Sequence, residues 1–66
     1  MSDETAEIED VHCVNTTEKA IRIRTAGDDY YWIPQSVIHD DSEVFDIGDH
    51  GTLVVAEWFA VKEGLV

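Results

Sequence analysis

The strictest alternation in the chain is Ala20-Ile21-Arg22-Ile23-Arg24-Thr25, which sets Ile21 and Ile23 on one face of a strand and Arg22 and Arg24 on the other. Gly27-Asp28-Asp29 interrupts the run, and Tyr30-Tyr31-Trp32-Ile33 resumes it with aromatic and β-branched residues, so residues 20–33 predict a β-hairpin. Upstream, Val11-His12-Cys13-Val14 predicts a short strand closed by the turn-compatible Asn15-Thr16-Thr17-Glu18. Residues 1–10 carry five acidic groups and only Ile8 as a large aliphatic, which predicts a solvated, mobile arm ahead of a single domain at 11–66.

Beyond the hairpin, Pro34 cannot donate to a sheet ladder and suits a first helical position, so Pro34-Gln35-Ser36-Val37-Ile38 predicts one helical or 3₁₀ turn, with Val37 and Ile38 plugging the core. Glu43-Val44-Phe45-Asp46-Ile47 alternates as a strand would. Gly48-Asp49-His50-Gly51 then turns the chain into a further strand at Thr52-Leu53-Val54-Val55, completing a second hairpin. In the last segment Trp58, Val61 and Leu65 fall at helical spacing, with Lys62 placed for the helix dipole and Gly64 for a cap. The expected class is α+β, mainly β: a small curled antiparallel sheet or an SH3/OB-like barrel of four to five short strands, with a short C-terminal helix.

Composition sharpens this in two ways. A hydrophobic content of 44%, with two Trp, two Tyr and two Phe in 66 residues, is too apolar for a disordered acidic tail. The single Cys13 excludes an internal disulfide, so the core must hold the fold by itself or with help from a weak dimer. The N-terminus lacks the basic and apolar regions of a targeting segment, and Leu53 to Ala56 is far short of the roughly 20 apolar residues that span a bilayer. A cytoplasmic protein, monomeric or weakly dimeric and without a membrane partner, is expected.

Candidate chemistry is sparse. The possible metal ligands are His12, Cys13, His39, Asp40, Asp41, Asp49 and His50. No two histidines fall at i, i+3 or i+4 and the Cys has no thiolate partner, so no metal site is predicted. Asp40-Asp41-Ser42-Glu43 lacks the ligand spacing and central Gly of a calcium loop. His12 and Cys13 are adjacent on a strand and point to opposite faces, which excludes a side-by-side dyad. With no glycine-rich phosphate loop either, neither an enzyme nor a cofactor is expected.

Charge is the stronger signal: fifteen Asp and Glu against four Lys and Arg, a formal net charge of -11. Asp28 and Asp29 crown the first hairpin, and Asp40, Asp41, Glu43, Asp46 and Asp49 fall within ten residues. Size scaling gives a compact chain of this length a radius of gyration of about 11 Å, hence a diameter of roughly 28 Å. B-DNA of that length carries about sixteen phosphate charges, so the carboxylate count resembles that of DNA. Arg22 and Arg24 are expected to pair with surrounding carboxylates.

From Lys19 to Val66 the chain resembles small uncharacterised domains found in bacteriophage and other mobile-element genes. The resemblance is carried by Trp32-Ile33-Pro34-Gln35-Ser36, Ile38-His39-Asp40-Asp41-Ser42-Glu43-Val44, Gly48-Asp49, Gly51-Thr52-Leu53-Val54-Val55 and Glu57-Trp58. Those domains usually have Lys where this chain has Gln35, and the present hairpin tip is more acidic. By size and charge the chain is similar to anti-CRISPR and restriction-blocking DNA-mimic inhibitors. The leading expectation is an inhibitor that covers the basic surface of a nucleic-acid-binding protein through Asp28, Asp29, Asp40, Asp41, Glu43, Asp46 and Asp49. A second is an adaptor in a phage replication or packaging assembly, anchored by Tyr31, Trp32 and Trp58. A third, weak single-strand binding through Tyr30, Trp32, Arg22 and Arg24, runs against the acidic balance; no direct nucleic-acid contact is expected.

Overall fold

The computed structural model describes residues 4–66. Four strands, β1 (Thr5–Thr16), β2 (Ala20–Arg24), β3 (Tyr30–Pro34) and β4 (His50–Ala56), form one antiparallel sheet in the order β3-β2-β1-β4. A 3₁₀ turn at Gln35–Val37 follows β3, and a helix, α1 (Glu57–Glu63), follows β4 directly. The sheet is open, so of the two expected forms the curled sheet is the one adopted and the closed barrel is not.

The expected arm is the largest correction. Residues 1–3 lie outside the described residues, but Thr5 to Asp10 form the first half of the central strand, with Thr5, Ala6, Glu7 and Ile8 paired to Ala56, Val55, Val54 and Leu53. The reason is alternation hidden beneath the charge: Ala6 and Ile8 face the core while Glu7 and Glu9 face water. Between Ile8 and Val11 the register shifts, and Asp10 takes a left-handed φ of 60°. This bulge returns Val11 to the core face where strict alternation from Ile8 would have turned it outward. A second shift between Cys13 and Asn15 bends β1 again, and together the two bulges curl the sheet around its core.

The core consists of Val11, Cys13, Ile21, Ile23, Ile33, Val44, Leu53, Val55, Phe59 and Ala60, with Ala6, Ile8, Tyr31, Val37, Ile38 and Leu65 packed against it. The β2–β3 hairpin forms where expected, with Ile21 and Ile23 opposite Ile33 and Tyr31, and β3 runs one residue further than expected, to Pro34, which pairs with Ala20 ahead of the 3₁₀ turn. Thr25 and Asp29 close its loop through Thr25 N–H to Asp29 C=O at 2.9 Å, and Asp28 takes the left-handed position at φ 66° that Asp tolerates better than most residues. Gln35 ties the far end back: its N–H donates to Lys19 C=O at 2.7 Å and its side-chain amide to Thr17 C=O at 3.2 Å.

The expected strand at Glu43 to Ile47 is absent, and its segment is an irregular loop. Residues 38–43 run beside β4 instead of forming a hairpin with it, and they satisfy its outer edge. Ile38 bridges Val55, His39 N–H donates to Val54 C=O at 2.8 Å, and Glu43 N–H donates to Thr52 C=O at 3.0 Å. The Ser42 hydroxyl, buried, accepts from Val54 N–H and Val44 N–H, each at 3.2 Å. Only Val44 of the expected strand reaches the core; Phe45 and Ile47 are exposed. An edge strand left bare is a template for pairing with other chains, and here the loop covers it.

The helix is present as expected but buries a different face. Phe59 and Ala60 enter the core while Trp58 and Val61 stay outside, at 62% and 60% exposure. Its C-terminus sets this orientation. Gly64 sits at φ 76°, Leu65 N–H returns to Ala60 C=O at 2.8 Å and Gly64 N–H to Val61 C=O at 3.2 Å, a Schellman arrangement that folds Leu65 back onto the core.

Candidate functional site

The strand register builds a continuous face on the side of the sheet away from the core. His50 on β4 opposes His12 on β1, His12 opposes Arg24 on β2, and Arg24 opposes Tyr30 on β3, so one row of side chains crosses all four strands. Beside it, Asn15, Arg22 and Trp32 form a second row. The His12 and His50 rings lie 5.8 Å apart between centres, tilted by 47°. The Arg22 guanidinium lies 4.7 Å from the centre of the Tyr30 ring and 5.9 Å from that of Trp32, within cation–π range of both. Half of each ring remains open to solvent, at 50% for Tyr30 and 48% for Trp32.

The surroundings make this face unusual. Among the described residues no carboxylate approaches Arg22 or Arg24 within 4 Å, and the one close acidic–basic contact is between His39 and Asp41, at 3.5 Å. Among the described residues the expected ion pairs of the two arginines are therefore not formed, in a chain with fifteen acids. Arg22 stacks on aromatic rings instead. Tyr31, expected as an anchor, faces the core opposite Ile23, and Tyr30 takes the outward position beside Trp32. Trp58 is exposed on α1, near the Thr5–Ala56 end of the β1–β4 pair and away from this face.

The seven candidate carboxylates do not form one surface. Asp28 and Asp29 sit at the loop after β2, on one side of the central strand, whereas Asp40, Asp41, Glu43, Asp46 and Asp49 belong to the loop that flanks β4 on the other. Two of them are committed to the backbone. Asp49 Oδ2 accepts Asp46 N–H at 2.8 Å and Phe45 N–H at 2.9 Å, and these bonds hold its carboxyl below the usual aspartate value. Glu43 Oε1 accepts Thr52 N–H at 2.9 Å and lies over Gly51, where a Cβ would approach it to 2.5 Å. Asp40, Asp41 and Asp46 point to solvent, with Asp41 beside His39.

No family model, curated protein or solved structure matches this chain. Its own geometry is what remains to read. Among the described residues no three His, Cys, Asp or Glu side chains converge as a metal site would require, and no helix is long and apolar enough to cross a membrane. Cys13 is buried, donates its S–H to Asn15 C=O at 3.3 Å, and has its thiol pushed up chiefly by burial, which makes it a core residue and a poor nucleophile.

The sequence did contain the signal for the outward face. Alternation placed Arg22 and Arg24 together and the hairpin placed Tyr30 and Trp32 beside them. His12 and His50 were not predictable partners, because their pairing depends on β4 lying against β1.

Proposed function

We propose that this chain is a binding module, not a catalyst, whose acidic loops meet a basic protein surface of the kind that otherwise holds nucleic acid while the aromatic rings on the outer face of its sheet anchor the contact. The observation that carries this reading is Arg22, unpaired with any carboxylate among the described residues and stacked between the half-exposed rings of Tyr30 and Trp32. Trp, Tyr and Arg are the residues that dominate interface energetics, and acids are depleted at interface centres, which a polar rim surrounds. Here the acids stand around the patch, where they steer a basic partner into place and select against an acidic one. A phage-encoded inhibitor of anti-CRISPR type is the form of this reading implied by the resemblance of residues 19–66 and by the charge.

The dependence on salt and on two classes of variant tests it. A partner recovered from host extract and repurified is titrated by calorimetry against wild type, Trp32→Ala, Arg22→Ala and the double reversal Asp40→Lys with Asp41→Lys, at low and high salt. Trp32→Ala and Arg22→Ala lower affinity about tenfold or more at both salts, the scale of a lost hot spot. The double reversal slows association at low salt and matters little at high salt. Wild-type affinity in both aromatic-face variants would sink the proposal.

A second reading is favoured by the layout of the face: aromatic rings and arginines on an open sheet also form a stacking platform for single-stranded nucleic acid. A gel shift with short oligonucleotides separates the two. A shift abolished by Trp32→Ala would replace the first reading by the second.

A further inference from the structure

The two edges of the sheet are finished differently. Residues 38–43 cover β4, whereas β3 has β2 on one side and, among the described residues, no strand or loop bonded to it on the other. In an antiparallel ladder, residue pairs that exchange hydrogen bonds alternate with pairs that do not. Two bonds fix the phase here: Thr25 N–H to Asp29 C=O at 2.9 Å at one end of the β2–β3 hairpin, and Gln35 N–H to Lys19 C=O at 2.7 Å at the other. Alternation inward from either end makes Ile23 with Tyr31 and Ile21 with Ile33 the bonded pairs. Tyr30, Trp32 and Pro34 therefore turn their backbone groups away from the sheet. Tyr30 and Trp32 each present an N–H and a C=O at this edge, and Pro34 presents a C=O alone, so the run of donors stops there.

A bare edge of this kind is a template for an added strand, and its surroundings select what is added. The Tyr30 and Trp32 rings stand on the outer face, about half open to solvent, and Arg22 reaches both from the β2 side. A strand laid against β3 sets every second side chain beside these rings, from the side opposite β2. Its intervening side chains fall on the other face, beside Tyr31 and Ile33, where the sheet packs on the core. At the Tyr30 end, Asp28 and Asp29 are exposed and form no ion pair among the described residues. A second copy of this chain suits the edge poorly, because it brings a further net charge of -11 against the first.

We infer that an extended, basic segment of the partner adds to β3 as a fifth strand, with Arg or Lys side chains beside Tyr30 and Trp32 and apolar ones between them on the core side. The added strand runs antiparallel, as all its neighbours do, which is the more stable pairing per residue. That direction brings the C-terminal end of the segment to Asp28 and Asp29. The inference rests on the reading of a basic partner. It adds how that partner is held: by the backbone of β3, with the rings and the two acids choosing the side chains.

The test needs no partner. Isotopically labelled protein is titrated with the peptide acetyl-Arg-Val-Arg-Val-Arg amide and, in parallel, with its counterpart carrying Glu in place of Arg, following the amide resonances of Tyr30 and Trp32. The arginine peptide shifts these resonances saturably, with a dissociation constant on the order of millimolar for so short a strand, and slows exchange of both amide hydrogens. Two methylated peptides then read the backbone contact. N-methylation of the central Arg, whose N–H meets Trp32 C=O, weakens binding about fivefold or more, the size of one lost backbone hydrogen bond, whereas N-methylation of the first Val, whose N–H points to solvent, leaves it within about twofold. The double variant Asp28→Asn with Asp29→Asn, which keeps a residue tolerant of positive φ at position 28, weakens binding about threefold at low salt. No saturable shift, equal weakening by the two methyl groups, equal binding of the glutamate peptide or unaltered binding by the double variant overturns the assignment. A concentration-dependent change at Tyr30 and Trp32 without peptide does so too, by giving the edge to a second copy. Each of these outcomes removes the added strand and leaves the acidic loops and aromatic anchor standing, since those are read separately from partner binding by Trp32→Ala and the Asp40 and Asp41 reversal.

Discussion

Ser42 is the residue on which the covered edge depends. Its hydroxyl accepts the N–H of Val54 and of Val44 and donates to Val44 C=O at 3.3 Å, inside a buried setting. Replacement by Ala leaves those donors without an acceptor, a loss of about 1–3 kcal/mol. Denaturant unfolding of Ser42→Ala measures this, and an unchanged midpoint would show that the loop does not need the hydroxyl. Asp49 and Glu57 act in opposite directions with pH. The Asp49 carboxyl is held below its ordinary value of 3.8 by the N–H groups of Asp46 and Phe45, so its stabilisation is present above that value and is lost as pH falls through its lower folded value. Glu57 is raised above 4.5 by the side-chain hydrogen bond its protonated carboxyl makes to Glu4 and by the charge of Glu4, so its favourable contribution is present below 4.5 and is lost as pH rises through the folded value. Thermal melts are therefore expected to show Asp49→Ala destabilising at neutral pH and approaching wild type below pH 3.8, and Glu57→Gln gaining relative to wild type as pH rises.

At the scale of elements, the long central strand decides the topology. β1 pairs with β2 through residues 12–16 and with β4 through residues 5–12, so the first half of β1 is as necessary as the second. Ile8, facing the core opposite Leu53, measures this directly. Ile8→Ala lowers stability by about 1–2 kcal/mol, the value for a partly buried aliphatic side chain. A solvated arm would give a change within about 0.5 kcal/mol, so an effect that small by chemical denaturation would exclude the pairing. The two edges of the sheet are also unequal. β4 is covered by residues 38–43, while β3 ends at Pro34, which cannot donate to an added strand.

Across the whole molecule, charge and structure divide the surface. With a radius of gyration of 10.5 Å, the chain presents fifteen acids on a small body, yet it keeps Arg22, Arg24, His12 and His50 together on one face. On the proposed reading, excess negative charge of this size would speed encounter with a basic surface at low salt, and the arginine–aromatic centre would hold the complex once formed. This explains why salt is expected to act on association and Trp32→Ala on affinity at any salt.

Local chemistry made part of this legible in the sequence. The β2–β3 hairpin, the 3₁₀ turn after Pro34 and the glycine-capped helix follow from alternation, a missing N–H and a residue free to take positive φ, all of which act within a few positions. The tertiary structure decided what depends on distant segments. Leu53 and Val55 make Ile8 and Ala6 part of a strand, the edge of β4 draws residues 38–43 out of a hairpin, and a bulge at Asp10 turns Val11 inward. It also decided which charges are free. Asp49 and Glu43 are bound to loop N–H groups, and Arg22 meets rings rather than carboxylates, because non-local pairing sets which side chains meet whereas sequence sets only which face each one takes.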